Sequence, residues 1–396
     1  MKKLKWASAL RVTPLVASLA TLAAGSAHAQ SSVTLYGVID AGVAYVHNAQ
    51  GTGGRNDSTL VRFSSGNTFG SRWGLKGTED LGGGLAAVFQ IENGFNDGTG
   101  TLGQGSREFG RKSVVGLASR QLGTVTLGRQ YDPVVDLVQT YTEDAYFGGS
   151  FASPGDLDNY DNSVRVSNSV KYVSPVLYGF QFEALYGLGG VAGSTGAGQT
   201  YGFGGSYASG PLGAAVAFFH ANGGSTTAND VRTWTSSSDS LFNTVINQGF
   251  ASAKSIQIVR AGTQYVAGPF TVGAAYSNTQ YSRDGFSVFS KTAKFNNGSV
   301  FVNCQLTPAL RVGGGYNYTK LSGPASAKYN QFNLGTDYAL SKRTTLYALA
   351  AYQKASGTTL NSSGATVQAE ASIGSYGVNS GTNSQALAVV GMRHKF

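Results

Sequence analysis

The sequence predicts an all-β protein, a 16-stranded antiparallel transmembrane β-barrel, and three observations point there. Apolar and polar side chains alternate with period two along almost the whole chain after residue 29. No later stretch offers the roughly 18 consecutive apolar residues that a membrane-crossing helix needs. The stretches between alternating segments are short and long by turns, the asymmetry of a barrel whose two rims face different compartments. Composition agrees: 21 Tyr, 21 Phe, 3 Trp and 56 Gly stand among 396 residues, of which only 12% are charged. A solvated globular surface carries about twice that charge. The lone cysteine, Cys304, can form no internal disulfide, so burial and backbone pairing must hold the fold.

Residues 1–29 read as a cleaved secretory signal. Lys2, Lys3 and Lys5 form a basic head, an apolar stretch runs to Leu22, and Ala27-His28-Ala29 supplies the small-residue cleavage site. Arg11 and Pro14 interrupt the apolar run, which argues against a membrane anchor. Removal leaves 25 cations against 20 acids, a net charge of +5. Much of the basic balance is therefore targeting charge, and no nucleic-acid partner is implied.

The mature chain, 30–396, opens with SVTLYGVIDAGVAYV. Here Val33, Leu35, Gly37, Ile39, Ala41, Val43 and Tyr45 share one face, and Thr34, Tyr36, Asp40 and Gly42 the other. In the next hairpin Trp73 and Leu75 oppose Arg72 and Lys76, then Leu85, Ala87, Phe89 and Ile91 oppose Gln90 and Glu92. Phe180, Phe182, Ala184 and Tyr186 oppose Gln181 and Glu183. The remaining strands lie near 110–118, 123–130, 166–174, 200–209, 212–220, 256–266, 270–280, 299–307, 311–320, 328–340, 344–354 and 385–396. Each runs for about nine to thirteen residues, enough for a tilted strand to cross hydrocarbon.

Short connectors such as TEDLGGGL, ASGPLG, AGPF and TPAL hold the Gly, Pro, Asp and Ser that tight turns use. Tyr172, Phe180, Tyr207, Tyr265, Phe270 and Tyr338 stand next to such turns, where an interfacial girdle would sit. Long connectors lie near 47–70, 96–109, 131–165, 187–199, 221–254, 281–298, 321–327 and 355–384. No domain boundary is visible.

A barrel of this width cannot be filled by its own side chains, so the polar faces must line water. At membrane depth they offer Arg72, Lys76, Lys171, Arg260, Arg311 and Arg393 against Asp40, Glu92, Glu183 and Asp337, a net of +2. Fixed positive charge in a low-dielectric wall concentrates anions. Arg260 shares its parity with Ile256 and Ile258, and without it the net is +1. Arg111 and Arg129 fall on the lipid parity when counted from Val115 and Leu117 and from Val125 and Leu127. Either a β-bulge or exit from the hydrocarbon band would bring each back to the lumen.

No catalytic constellation is evident, and the chain does not read as an enzyme. His47, His220 and His394 lack flanking motifs, and the glycine-rich stretches lack the Gly-Lys ending of a nucleotide loop. No cofactor or metal is expected. Asp156, Asp158 and Asp161 could hold calcium, but the glycine and distal glutamate of a hand-type loop are missing.

SSVTLYGVIDAGV, SRWGLKGTEDLGGGLAAVFQIENGF, VGLASRQLGTVTLGRQYDP, NSVKYVSP and the terminal VGMRHKF resemble the trimeric general-diffusion porins of Gram-negative outer membranes, and the β-proteobacterial type above all. The resemblance covers the mature chain. It implies an outer-membrane homotrimer passing small hydrophilic solutes and ions, set among membrane lipid and lipopolysaccharide. It also implies that the third extracellular loop, here 131–165, folds inward, and that Phe396 is the address read by the barrel-insertion machinery. Under that reading the constriction sets a basic wall of Arg72, Lys76, Arg111, Arg129 and Arg165 against Asp132, Asp136, Glu143 and Asp144 of the loop. The loop could instead spread its acids over the outer surface. Two other functions fit the barrel: a solute-selective channel with Tyr131, Tyr141, Tyr146, Phe147 and Tyr160 as an aromatic slide, or a plugged structural or adhesive barrel.

Overall fold

The computed structural model describes residues 32–51, 53–56, 58–224 and 242–396, so the expected signal at 1–29 lies outside the described residues. One antiparallel sheet takes in β1 (Ser32–His47), β2 (Thr59–Ser65), β3 (Arg72–Gly82), β4 (Leu85–Gly94), β5 (Lys112–Ser119), β6 (Gly123–Gln130), β7 (Val166–Val173), β8 (Phe180–Gly187) and β9 (Thr200–Ser209). It continues through β10 (Leu212–Asn222), β11 (Ser255–Ala267), β12 (Phe270–Ser282), β13 (Ala293–Gln305), β14 (Leu310–Ser322), β15 (Ala327–Ala339), β16 (Thr344–Leu360), β17 (Thr366–Gln368) and β18 (Ser384–Lys395). β1 pairs with β3 through residues 32–38 and with β2 through 41–47, so β2 and β3 are halves of one stave. β17 is a short ribbon on the far end of β16. Sixteen staves remain, and β18 closes the ring by pairing with both β16 and β1.

Alternation survives the fold because oil and water sit on opposite sides of the wall. Val33, Leu35, Ile39, Val43 and Tyr45 stay exposed on the outer face of β1, whereas Asp40, Ala44 and Val46 are buried inside. Two departures from expectation have a local cause. Residues 59–65 form strand rather than loop, with Val61 and Phe63 outward and Leu60, Arg62 and Ser64 less exposed. β13 begins at Ala293 rather than near 299, because its polar opening lies beyond the apolar band and keeps its pairing all the same.

The ring is sealed at the last residue. Gly37 and Phe396 exchange backbone hydrogen bonds of 3.1 Å. Any side chain at Gly37 would collide with the Phe396 ring, so glycine is what lets the terminal aromatic lie flat across the seam. Above it, the turn between β2 and β3 dips inward, and Asp40 Oδ2 accepts the Thr68 and Phe69 N–H groups at 2.8 Å and the Thr68 hydroxyl at 2.6 Å. The Tyr347 hydroxyl of β16 donates to Asp40 Oδ1 at 2.5 Å.

The packed core lies inside the ring, where segment 131–165 meets the wall. Val134, Leu137, Val138 and Tyr141 pack with Ala215, Ala217 and Phe219 of β10 and Ile256 and Ile258 of β11. Phe147 and Phe151 pack with Ala44 and Val46 of β1, Leu349 of β16 and Val389 of β18. The inward isoleucines of β11 thus face a protein surface rather than water.

Candidate functional site

Segment 131–165 leaves β6 and enters β7, yet it bonds to staves across the ring. Its start is fixed by Asp132, whose Oδ1 accepts the Val134 N–H at 2.8 Å and whose Oδ2 accepts Asn159 Nδ2 at 2.7 Å. Burial raises the Asp132 carboxyl to about 6. Further along, the Tyr146 hydroxyl donates to Gln264 at 2.7 Å, and Ser277 of β12 donates to Asp158. Asn317 of β14 donates to the Phe151 carbonyl at 3.1 Å, and Gln331 of β15 to the Ser150 carbonyl at 3.0 Å. Arg260 is fully buried and reaches inward, donating to the carbonyls of Asn159 and Tyr160 at 3.3 Å and to the Thr142 hydroxyl at 3.1 Å. Its guanidinium lies 3.7 Å from the Tyr160 ring centroid. Arg260 thus points inward, as its polar character suggested, but lies sealed under the segment rather than lining water.

What the segment leaves open is a cavity of about 490 Å³ bordered by Arg72, Arg111 and Arg165 and by Asp136, Asp144 and Asp161. Arg111 Nε donates to Glu92 Oε1 at 2.8 Å, and Arg72 Nε stands 3.7 Å from Glu92 Oε2, so two guanidiniums share one carboxylate. Asp136 pairs with Lys171, whose Nζ also lies 3.4 Å from Glu183. Asp144 accepts Gln139 Nε2 at 2.7 Å and the Thr142 hydroxyl at 2.6 Å. Burial, opposed by Arg260 and reinforced by Asp161, raises its carboxyl to about 7. Burial raises Asp161 as well.

The expected set is thus divided. Arg72, Arg111, Arg165, Asp136 and Asp144 border one cavity, and Asp161 joins them. Lys76 stands nearer the short-turn rim, in a second cavity of about 380 Å³ shared with Lys112. Arg129 is turned elsewhere by a slip in pairing between Gly128 and Gln130, and its Nε and Nη1 donate to the Gly110 carbonyl at 2.7 Å and the Ser167 hydroxyl at 2.8 Å. Arg111 escapes the lipid parity differently, by preceding the first residue of β5. Asp132 is committed to the turn it caps. Glu143 is buried beside Gly315 and accepts Asn333 Nδ2 at 3.2 Å.

The aromatic slide is not on offer, since Tyr141, Phe147 and Tyr160 are packed into the wall; of the five, Tyr131 borders the cavity. Asp156, Asp158 and Asp161 spend their oxygens on backbone N–H groups and on Ser153, Ser277 and Ser375. Among the described residues no three acid, histidine or cysteine side chains gather as metal ligands.

Known proteins share this architecture. The profile of the Gram-negative porin family matches residues 16–358. An outer membrane porin protein of Bordetella pertussis is 33% identical over 372 residues, 87% of this chain and 94% of its own. Outer membrane porin protein 32 of Delftia acidovorans is 31% identical over 403 residues, 96% of this chain and 99% of its own. Among solved structures, an anion-selective porin from Comamonas acidovorans superposes with a TM-score of 0.69 at 24% identity, over 93% of this chain and 100% of that one. The chain therefore belongs to the Gram-negative porin family and forms a channel in the outer membrane through which small hydrophilic solutes diffuse passively.

Proposed function

We propose that the channel is weakly anion-selective, that it works as a homotrimer, and that its constriction is the passage between Arg72, Arg111 and Arg165 and the acids Asp136, Asp144 and Asp161. One observation carries the selectivity: the second cavity is bordered by Lys76 and Lys112 with no carboxylate among its lining residues. An ion passing towards the short-turn rim meets Lys76 and Lys112, and Glu92, the cross-strand partner of Lys112, is already shared by Arg72 and Arg111. Two further clusters lean the same way, with one acid shared by two cations: Glu92 by Arg72 and Arg111, and Asp337 by Arg311 and Arg393. Lys171, set between Asp136 and Glu183, offsets them in part.

The mechanism is electrostatic and needs no bound intermediate. Arginines on one side and carboxylates on the other set a field across the passage, which orients water and dipolar solutes. Apolar solutes must displace that oriented water and are disfavoured. Phe396, exposed at the seam, serves as the mark that the barrel-insertion machinery reads.

The test is the reversal potential of the purified protein in a planar bilayer under a salt gradient. A sign showing preference for chloride over potassium is expected. A cation-selective sign overturns the proposal, while negligible conductance would point to a plugged barrel.

A further inference from the structure

A third cavity, of about 220 Å³, lies on the long-loop side of the passage and shares Gly66, Gly149, Asp161 and Ser375 with it. Its walls come from β2, the loop after β4, segment 131–165 and the loop before β18, stretches that meet only in the closed ring. Among the described residues that line it, Arg62 is the one cation and Asp161 the one acid. Asp161 accepts the Ser375 hydroxyl, and its charge is balanced by Arg165 and Arg111 of the passage. Arg62 has no carboxylate within ion-pair distance among the described residues.

Arg62 is nevertheless held in place. Its guanidinium carbon lies 4.9 Å from the Tyr376 ring centroid, and Nη2 donates to the Tyr376 carbonyl at 3.4 Å. The Tyr376 hydroxyl rests on Ser64 Oγ at 2.8 Å, Ser64 donates to Asn67 at 2.5 Å, and Asn67 Nδ2 donates to the Tyr347 hydroxyl at 2.8 Å. A chain of four side chains thus ties the cation to the barrel wall, yet its Nε and Nη1 find no partner among the described residues. Ser150 is buried with its hydroxyl unpartnered. Asn96 spends its carbonyl oxygen on the N–H groups of Gly98 and Thr99 at 2.9 and 3.2 Å, which leaves Nδ2 without an acceptor. Donors from three separate stretches therefore border one hollow, and unmatched donors cost stability when they are buried.

We propose that this cavity is an entry subsite for phosphate monoesters of small polyols, with the phosphate group on Arg62, Ser150 and Asn96 and a hydroxyl of the polyol donating to Asp161. Donors converging from different segments suit a tetrahedral oxyanion, whereas a carboxylate presents its two oxygens in one plane. A chloride ion would leave most of the volume empty. The four shared residues open the subsite directly onto Arg72, Arg111 and Arg165, the next cations on the way through. One guanidinium and two neutral donors hold a solute loosely, as throughput requires. The inference rests on the proposed passage being open to solutes, and it does not depend on the ion selectivity of that passage.

The experiment is block of potassium chloride current in a planar bilayer by glycerol 3-phosphate, added to either side in turn. A saturable block is expected for the wild type and none by glycerol. Arg62→Gln should weaken the block about tenfold or more, and Ser150→Ala about three- to fivefold, the effects of losing a charged and a neutral hydrogen bond. Thermal midpoints in detergent report whether each variant is folded; should Arg62→Gln not fold, Ser150→Ala carries the reading. Equal block of wild type and folded variants, equal block by inorganic phosphate alone, or equal block by glycerate, whose oxyanion is planar, would each overturn the proposal. The reversal potential is read on the same membranes. A cation-selective sign with the block retained removes the proposed selectivity and upholds the subsite, while an anion-selective sign without block removes the subsite alone.

Discussion

Glu92 shows how one side chain sets the charge of the passage. It restrains both Arg72 and Arg111, and replacing it with glutamine removes the charge while keeping its size. Glu92→Gln is expected to raise the chloride-to-potassium permeability ratio about two- to fivefold, the effect of roughly 0.5–1 kcal/mol on a passing ion. An unchanged ratio in bilayer recordings would remove Glu92 from the electrostatics of the passage. Asp144 adds a dependence on pH. Its carboxyl is raised to about 7 in the folded chain against an ordinary 3.8, facing Arg260, Asp161 and Glu143. The folded state therefore holds this proton more tightly than the unfolded one. Ionised Asp144 costs stability above about pH 7, and that cost is relieved as pH falls through 7 towards 4. Anion preference should rise between pH 8 and 5.5 as the passage loses a negative charge, and Asp144→Asn should flatten the step. A step of the same size in the variant would show that another group titrates.

Among elements, segment 131–165 owes its place to seats cut into the wall. Gly313 of β14 and Gly335 of β15 are direct cross-strand partners, and a Cβ on either would press on the Phe147 ring. Phe147 is fully buried there, its ring 5.1 Å from that of Phe151. Phe147→Ala should cost about 3–5 kcal/mol of stability, as other large-to-small changes at packed sites do. It should also make the open channel noisier, because a loosened segment wanders across the passage. Thermal unfolding in detergent gives the first reading and single-channel recording the second; a variant with unaltered midpoint and quiet openings would deny the anchor. The staves themselves were legible in the sequence, since hydrocarbon on one side and water on the other force a period of two. The seats were not, because a glycine awaiting a ring from 166 or more residues earlier looks like any other strand glycine. The same holds for the site: Arg72 and Asp136 could be placed from alternation and loop position, whereas Asp161 reaches the cavity only through folding within the segment. The broken parity of Arg129 against Val125 and Leu127 showed in the sequence that a bulge or an exit from the band was needed there, but which of the two it was, the slip between Gly128 and Gln130, came only with the fold.

For the whole molecule, the lumen acts as one weakly positive surface, and its reach depends on the medium. Screening shortens from about 10 Å in 0.1 M salt to about 3 Å in 1 M. Anion preference should accordingly shrink over that range in bilayer reversal potentials, and selectivity that held constant would indicate contact binding rather than a field. The closed ring also explains why a chain with so little charge needs no polar coat, since its outer surface is solvated by lipid. Asp40 adds a consequence for biogenesis. It sits in the first stave, yet Tyr347, one of its partners, arrives 307 residues later in the chain. Until that tyrosine is in position, the carboxylate at the start of the barrel is only partly answered. A polypeptide cut short before β16 would lack this donor and leave Asp40 Oδ1 unanswered, so the near end of the barrel reaches its final hydrogen bonding only when the far end is in place.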